Sequence, residues 1–193
     1  HEVACHTRNH PNLSSTEAIE WTSSATNPTI DITTVATDDD SSNWSGTVTC
    51  YEDGSPVLTM DLTLSSYDTL GEVATAINGI SGNWTATIVS SQGGVNSTCL
   101  ASGTGLTGTL LMNQEAFFYS EIAESKAEIE AGIGGGYEIY SFVHPGNQSN
   151  ADTIAYCKDD SSLYAGHFAR AGTTPFKITR TDGNGDIDLD SVD

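Results

Sequence analysis

The sequence has very few basic residues. Only 6 Lys and Arg side chains accompany 26 Asp and Glu, which gives a formal net charge of −20 at pH 7. No Lys or Arg occurs between Arg8 and Lys126. Binding to nucleic acid or to an anionic membrane surface depends on basic side chains near phosphates. The composition therefore predicts neither nucleic acid nor membrane as a partner.

The acidic residues are scattered along the chain, apart from the run Asp38-Asp39-Asp40. Scattered acids with few lysines are typical of proteins kept soluble in high salt, where charge repulsion is screened. This pattern favours a marine or halophilic source. An ordinary acidic secreted or virion protein is the alternative.

Long hydrophobic runs are also missing. No run of 18 apolar residues occurs, so no membrane-spanning segment is expected. No basic segment followed by an apolar one opens the chain, so no signal peptide is visible. Because His1 is not an initiator Met, we expect the sequence to be part of a longer polypeptide.

The four cysteines show no CxxC spacing, which excludes a zinc ribbon. Cys50 and Cys99 both lie in a β-rich stretch and are candidates for a disulfide. Cys5 and Cys157 lie in apolar contexts and are predicted to be buried thiols.

Differences in composition and in the spacing of apolar residues divide the chain into three regions: residues 1–26, 27–110 and 111–193. In the first, STEAIEW predicts a short helix capped by Ser15 or Thr16. In the second, GTVTCY, the turn EDGS and VLTMDLTL predict a β-hairpin, with a further strand near TIDITTVA. YDTLGEVATAINGI predicts a helix that begins at Asp68 and ends at Asn78-Gly79, and WTATIVSS predicts a strand.

In the third region, EAFFYSEIAESKAEIEAGIGGG predicts the longest helix, terminated by glycines 134–136. Its predicted apolar stripe comprises Phe118, Ile122, Ile129 and Ile133. YEIYSFV predicts a strand, NADTIAYCKDD a helix capped by Asn150, and LYAGHFARAG another strand. The two outer regions therefore predict one α/β domain, interrupted by a β-rich α+β module at 27–110.

The segment HTRNHP places His6 and His10 four residues apart. On a helical turn, that spacing puts both imidazoles on one side. Two neutral imidazoles with a carboxylate form a common zinc or transition-metal site. A pair of surface or capping histidines is the alternative interpretation.

The surroundings of these histidines carry a family resemblance. HEVACHTRNHPNLS resembles the second motif of polysaccharide deacetylases, carbohydrate esterases that remove acetyl groups from chitin, peptidoglycan and xylan. Downstream, ESKAEIEAGIGGGYEIYSFVHPGN and KDDSSLYAGHFARAG resemble later segments of the same family. The matching positions are His1, Glu2, Val3, His6, Thr7, His10, Pro11, Leu13, Ser125, Lys126, Ile129, Glu130, Phe142, Pro145, Gly146, Ala169 and Arg170.

The resemblance implies a partial (β/α) barrel and metal-dependent hydrolysis of acetyl groups on an acetylated polysaccharide. It implies that His6 and His10 bind a divalent transition metal, usually zinc, and that Thr7 braces their loop by a side-chain hydrogen bond. Positions His144, Pro145 and Gly146 would contribute to substrate binding, although the family commonly has Tyr where His144 stands.

Two family motifs have no counterpart in the sequence. The T-F-D-D-G motif, which supplies a metal ligand and the general base, would precede His1. The late Leu-x-His motif, which supplies a catalytic histidine, is also absent. No catalytic residue is therefore assigned, and activity depends on whether an Asp pair precedes His1 in the complete polypeptide.

The middle region carries a second resemblance. SSYDTLGEVATAINGISGNWTATIVSS is similar to a repeat of flagellin, hook-associated and phage-tail proteins. That resemblance implies a structural or adhesive module, located extracellularly or at a virion surface. The alternative to the enzyme is thus a non-catalytic glycan-binding or structural component of an extracellular filament or tail fibre, within a larger homo-oligomeric assembly.

The acidic end TDGNGDIDLDSVD places side-chain oxygens at alternate positions. Such spacing resembles a calcium loop, with Asp182, Asn184, Asp186 and Asp188 as candidate ligands. A solvated acidic tail is the alternative.

Overall fold

A computed structural model describes residues 4–36, 40–139, 141–143, 151–159, 166–168, 177–180 and 187–190. The chain forms two compact units. The inner unit is Ser15–Glu121, and the outer unit combines His1–Ser14 with Ile122–Asp193. The units divide after residues 14 and 121, whereas the sequence placed the region boundaries after residues 26 and 110.

The inner unit contains two antiparallel sheets. One has four strands in the order β4-β3-β2-β6, and the other has three in the order β5-β1-β7. The strands are β1 (Glu17–Ser23), β2 (Thr29–Val35), β3 (Ser45–Glu52), β4 (Ser55–Asp61), β5 (Trp84–Ile88), β6 (Gly103–Leu106) and β7 (Thr109–Leu111). A helix, α1 (Leu70–Asn78), precedes β5.

The predicted (β/α) barrel is wrong. The described residues are mostly β-sheet with few helices, and seven strands belong to the two antiparallel sheets. All seven of these strands pair antiparallel, whereas a (β/α) barrel is built from parallel strands joined by long crossover connections. The predicted hairpin turn between β3 and β4 is present, with positive φ at Asp53 (49°) and Gly54 (75°).

The predicted helix at STEAIEW is also wrong, because this segment forms the central strand β1. Ser15 Oγ does accept a hydrogen bond from Glu17 N at 3.2 Å, as a helix cap would. The following residues alternate, however: Ile19 and Trp21 are buried, and Glu20 between them is exposed. Partners on both sides of β1 complete its backbone hydrogen bonds, so tertiary pairing overrides the helical tendency of Glu and Ala.

The other elements predicted for the middle region are confirmed. They are β2, the β3–β4 hairpin, α1 and β5. The predicted cap of α1 was displaced by one residue: Thr69, rather than Asp68, accepts a hydrogen bond from Glu72 N. The Glu72 side chain in turn accepts from Thr69 N at 3.1 Å, which completes a capping box.

In the four-stranded sheet, β2, β3 and β4 each have one apolar and one polar face. The buried face carries Ile30, Ile32, Val48, Cys50 and Met60. The residues between them, mostly threonines and aspartates, are exposed or half-buried. The period of two along each strand thus fixes which face joins the core of the inner unit.

The long helix predicted in the third region is confirmed, with an interruption. It comprises α2 (Gln114–Phe118), a π-helical turn (Tyr119–Ala123) and α3 (Glu124–Ile133). The three glycines that follow α3 all have positive φ, as expected at a helix end. The predicted apolar stripe fails at its end, because Ile133 is 46% exposed.

In the outer unit, β8 (Ser141–Val143) pairs in parallel with β9 (Gly166–Phe168). The remaining elements are α4 (Ala151–Asp159) and the antiparallel hairpin β10 (Lys177–Arg180) and β11 (Ile187–Asp190). The helix at NADTIAYCKDD and the strands at YEIYSFV and LYAGHFARAG are confirmed, although both strands are shorter than expected. Asn150, the predicted cap of α4, lies outside the described residues.

All four cysteines lie in the described part of the chain, and all are thiols. The suggested Cys50–Cys99 disulfide is therefore wrong. The prediction of buried thiols at Cys5 and Cys157 is confirmed, since both are fully buried. Among the described helices, we find none with the length and apolar character needed to cross a membrane.

Candidate metal centre

His6 and His10 lie on an exposed loop of the outer unit, not on the helical turn that their spacing suggested. Thr7 and His10 both have positive φ, 65° and 53°. Non-glycine residues adopt this conformation rarely, so the loop bends sharply at both positions. Thr7 Oγ1 accepts a hydrogen bond from His10 N at 3.2 Å, the brace expected for Thr7.

The bend brings the two imidazole rings together. Their centroids are 4.8 Å apart, with the ring planes at 75° to each other. Two imidazoles are donors of the kind that zinc uses, with zinc–nitrogen bonds of about 2.0–2.1 Å. The loop therefore places the two rings side by side, as i, i+4 spacing does on a helix.

The orientation of His6 is fixed from the far side of its ring. Nδ1 of His6 lies 2.7 Å from the carbonyl oxygen of Val143, in β8. A carbonyl oxygen only accepts hydrogen bonds, so Nδ1 carries the proton and donates it. In the neutral imidazole, Nε2 is then left with its lone pair. Metal-binding histidines are commonly held in this way by a backbone carbonyl.

The start of this loop is anchored in the core of the outer unit. Cys5 forms a parallel β-bridge with Phe142, and Cys5 O accepts a hydrogen bond from Val143 N at 2.8 Å. The Cys5 thiol donates to Ser125 Oγ at 3.3 Å. Both Cys5 and Phe142 are fully buried. The residue that precedes His6 is therefore held firmly in place by backbone and side-chain contacts.

The middle of the loop is held by ion pairs to α3. Arg8 lies 3.4 Å from a carboxylate oxygen of Glu124, and its Nε donates to Glu128 at 3.3 Å. The side chain of Glu124 is mostly buried, with 14% exposed, whereas that of Glu128 is 62% exposed. Arg8 offsets the charge of these carboxylates and positions the segment between the two histidines.

The two imidazoles supply only part of a complete metal site. In the described part of the chain, no group of three or more His, Cys, Asp or Glu side chains is arranged to hold a metal ion. A tetrahedral zinc ion needs four ligands. The donor set fits such an ion, provided that water, substrate or other parts of the polypeptide complete it.

Most of the other predicted site residues cannot be placed against this loop. His144, Pro145 and Gly146 lie outside the described residues, as do Asp182, Asn184 and Asp186 of the proposed calcium loop. Asp188 lies in β11, where its backbone pairs with Thr179. The substrate-binding and calcium-binding roles therefore stay predictions.

Several contributors to the loop were missed in the sequence, Val143 and Ser125 among them. Val143 acts through its backbone carbonyl, so its side-chain type gives no signal. Ser125 acts by accepting from Cys5, a contact across 120 residues. Both contacts depend on long-range folding, which residue spacing alone does not reveal.

Comparison with known proteins adds no family assignment. No protein-family model matches the chain, and no curated protein matches it significantly.

Proposed function

We propose that the His6–His10 loop binds a divalent transition metal, zinc above all, and that the protein takes part in metal-dependent removal of acetyl groups from a polysaccharide. One observation carries the first step: two adjacent imidazoles, one with its tautomer set by the Val143 carbonyl. The deacetylase step rests on the resemblance of HEVACHTRNHPNLS and its downstream segments to that family.

In this proposal, each residue of the loop has a defined task. His6 presents Nε2 because its Nδ1 proton is engaged. The brace from Thr7 and the ion pairs of Arg8 keep His10 beside it. When bound, the metal would polarise an acetyl carbonyl and activate water.

Metal binding is tested with variants that keep the loop intact. His6→Asn retains an N–H donor for the Val143 carbonyl, and His10→Asn suits a positive φ because Asn tolerates that conformation. We expect titration calorimetry with zinc to show one site in the native protein and a loss of more than about 100-fold in affinity in either variant, because removing a ligand costs more than removing an outer-shell partner, about 10- to 100-fold. His167→Asn, which alters a histidine outside the loop, serves as the control.

Activity is tested by acetate release from acetylated xylan and from chitin oligosaccharides, with zinc or cobalt added. Metal binding with acetate release that disappears in His6→Asn supports the whole proposal. Metal binding without acetate release retains the metal site and favours the glycan-binding or structural alternative. Equal zinc affinity in the native protein and both loop variants overturns the proposal.

A further inference from the structure

A shallow groove lies on the polar face of the four-stranded sheet in the inner unit. Its volume is about 320 Å³, and it is formed by the ends of β2 and β4 with the start of β3. The lining residues are Thr33, Val35, Ser45, Gly46, Thr47, Asp61 and Thr63. Nothing in this groove belongs to the histidine loop.

The groove presents a regular row of hydrogen-bonding groups. Thr33 pairs with Thr47 in the β2–β3 register, and Thr47 pairs with Asp61 in the β3–β4 register. Neighbouring strands are about 4.8 Å apart, so two hydroxyls and a carboxylate stand side by side across the sheet. All three residues are exposed. Such a row can both donate and accept hydrogen bonds.

The carboxylate of Asp61, the last residue of β4, is held in place by Thr63, two residues further along the chain. Asp61 Oδ1 accepts hydrogen bonds from Thr63 N at 3.0 Å and from Thr63 Oγ1 at 2.7 Å. These bonds lower the pKa of Asp61, so it is a charged acceptor under ordinary conditions. Hydrogen bonds from hydroxyl groups to a charged carboxylate are stronger than those between neutral groups.

Gly46 lines the groove through its backbone, between Ser45 and Thr47. A Cβ atom at this position would point to the other face of the sheet, where it would lie 2.9 Å from the Thr34 methyl carbon and 3.1 Å from the buried Leu62. Beside it, Val35 is 47% exposed and offers an apolar contact. Hydroxyls, one carboxylate and one apolar surface therefore line the same small concavity.

Charge restricts what this groove can hold. The segment from Ser15 to Glu121 contains Asp and Glu but no Lys, Arg or His. Phosphorylated or sulfated ligands would meet repulsion here, with no basic group to offset it. A single lining carboxylate is too little to hold a metal ion, which takes several oxygen ligands. An uncharged ligand with many hydroxyl groups can form hydrogen bonds with the threonine hydroxyls and the Asp61 carboxylate.

We infer that this groove is a binding site for a short stretch of neutral carbohydrate. Sugar hydroxyls would donate to Asp61 and exchange hydrogen bonds with Thr33 and Thr47, while a sugar C–H face would lie on Val35. The site is independent of metal binding by His6 and His10. Its volume is at the lower end of small-molecule sites, about 300 Å³, which suits a few sugar units at most.

The test is a titration of ¹⁵N-labelled protein with three neutral probes: xylohexaose, cellohexaose and chitohexaose. We expect at least one of them to shift the amide signals of Thr33, Thr47 and Thr63 in the millimolar range. The double variant Thr33→Val/Thr47→Val should weaken that binding by about tenfold, because two neutral hydrogen bonds are lost. Val keeps the branched shape and strand preference of Thr.

The control is Thr49→Val/Thr59→Val. These two hydroxyls lie on the same sheet face, 3.4 Å apart, but do not line the groove. Unchanged affinity in this control, together with unchanged binding in His6→Asn, supports the assignment. The inference is overturned if none of the three probes shifts the groove amides. It is equally overturned if both double variants bind alike, or if a sulfated oligosaccharide binds the groove better than the neutral probes.

Discussion

His6 Nδ1 and the carbonyl oxygen of Val143 lie 2.7 Å apart, although 137 residues separate them in the chain. This contact joins the histidine loop to β8 and determines which ring nitrogen of His6 remains available. Because the Nδ1 proton is donated to a backbone carbonyl, Nε2 of His6 is the ring nitrogen that keeps a lone pair.

The first prediction concerns the tautomer of His6. Long-range ¹H–¹⁵N correlation spectra above the titration range of histidine should show the proton on Nδ1, because only a donor can satisfy the Val143 carbonyl. Added zinc should then shift the Nε2 signal and leave the Nδ1 proton in place. A proton on Nε2 in the metal-free protein would contradict the orientation described above.

The second prediction concerns thiol chemistry. Burial raises the pKa of the Cys50 and Cys157 thiols to about 12; at Cys157 the nearby Cys5 adds to this effect. The thiolate is the reactive form, so both thiols should resist alkylation in the native protein near pH 8. In denaturant without reductant, all 4 cysteines should react, as counted by mass spectrometry. A count of two would indicate a disulfide.

The same pKa shifts predict how stability depends on pH. Because these pKa values are raised on folding, the folded state retains protons that the unfolded state releases above about pH 9. Their contribution is therefore fully present below pH 9 and is lost as the pH rises towards 12. Urea denaturation between pH 8 and 11 should show falling stability, and Cys50→Ala/Cys157→Ala should flatten that slope.

The third prediction concerns the cap of α1. Thr69→Ala should lower the free energy of unfolding by about 1 kcal/mol, because the helix loses its side-chain cap and the capping box opens. Asp68→Ala should cost less. The Asp68 pKa is raised by its hydrogen bond to Glu72, by slight burial and by the charge of Glu72, so its removal also relieves repulsion between carboxylates. Denaturant unfolding followed by circular dichroism distinguishes the two, and equal effects would contradict the assigned cap.

The cap of α1 also illustrates what sequence reasoning could locate. The spacing of apolar residues indicates α1, and Asn78-Gly79 indicates its end, because both features depend only on residues close together in the sequence. They could not decide between Asp68 and Thr69, since both residue types cap helices and only backbone geometry distinguishes them. Asp53-Gly54 was found for the same reason, because a tight turn carries its own residue preference.

Long-range pairing explains the larger errors. Residues Glu17–Ser23 form a strand because β5 and β7 lie on either side, and neither neighbour is near in sequence. The barrel was expected from motifs in the outer regions, whereas most of the described strands belong to the inner unit and pair antiparallel. Residue type and spacing indicate the histidine pair, but the bend at Thr7 and the contact with Val143 depend on long-range folding.

The last prediction concerns two stacked tryptophans of the inner unit. Trp21 and Trp84 are both 4% exposed, and their rings stack with centroids 4.9 Å apart. Their indole N–H groups differ, however. Trp84 Nε1 donates to Glu52 at 2.7 Å, whereas Trp21 Nε1 is buried without a partner among the described residues.

Replacement of each tryptophan by Phe removes a similar area and an indole N–H, which is hydrogen-bonded at Trp84 and unsatisfied at Trp21. Trp84→Phe loses a hydrogen bond to a charged acceptor, while Trp21→Phe removes a buried donor that is unsatisfied. We therefore expect Trp84→Phe to be less stable than Trp21→Phe by about 1–2 kcal/mol in urea denaturation. In a Glu52→Gln background the acceptor is neutral, so the difference in unfolding free energy between the two variants should be smaller. A difference that is absent, or that is unaffected by Glu52→Gln, would show that ring packing alone determines the stability of this pair.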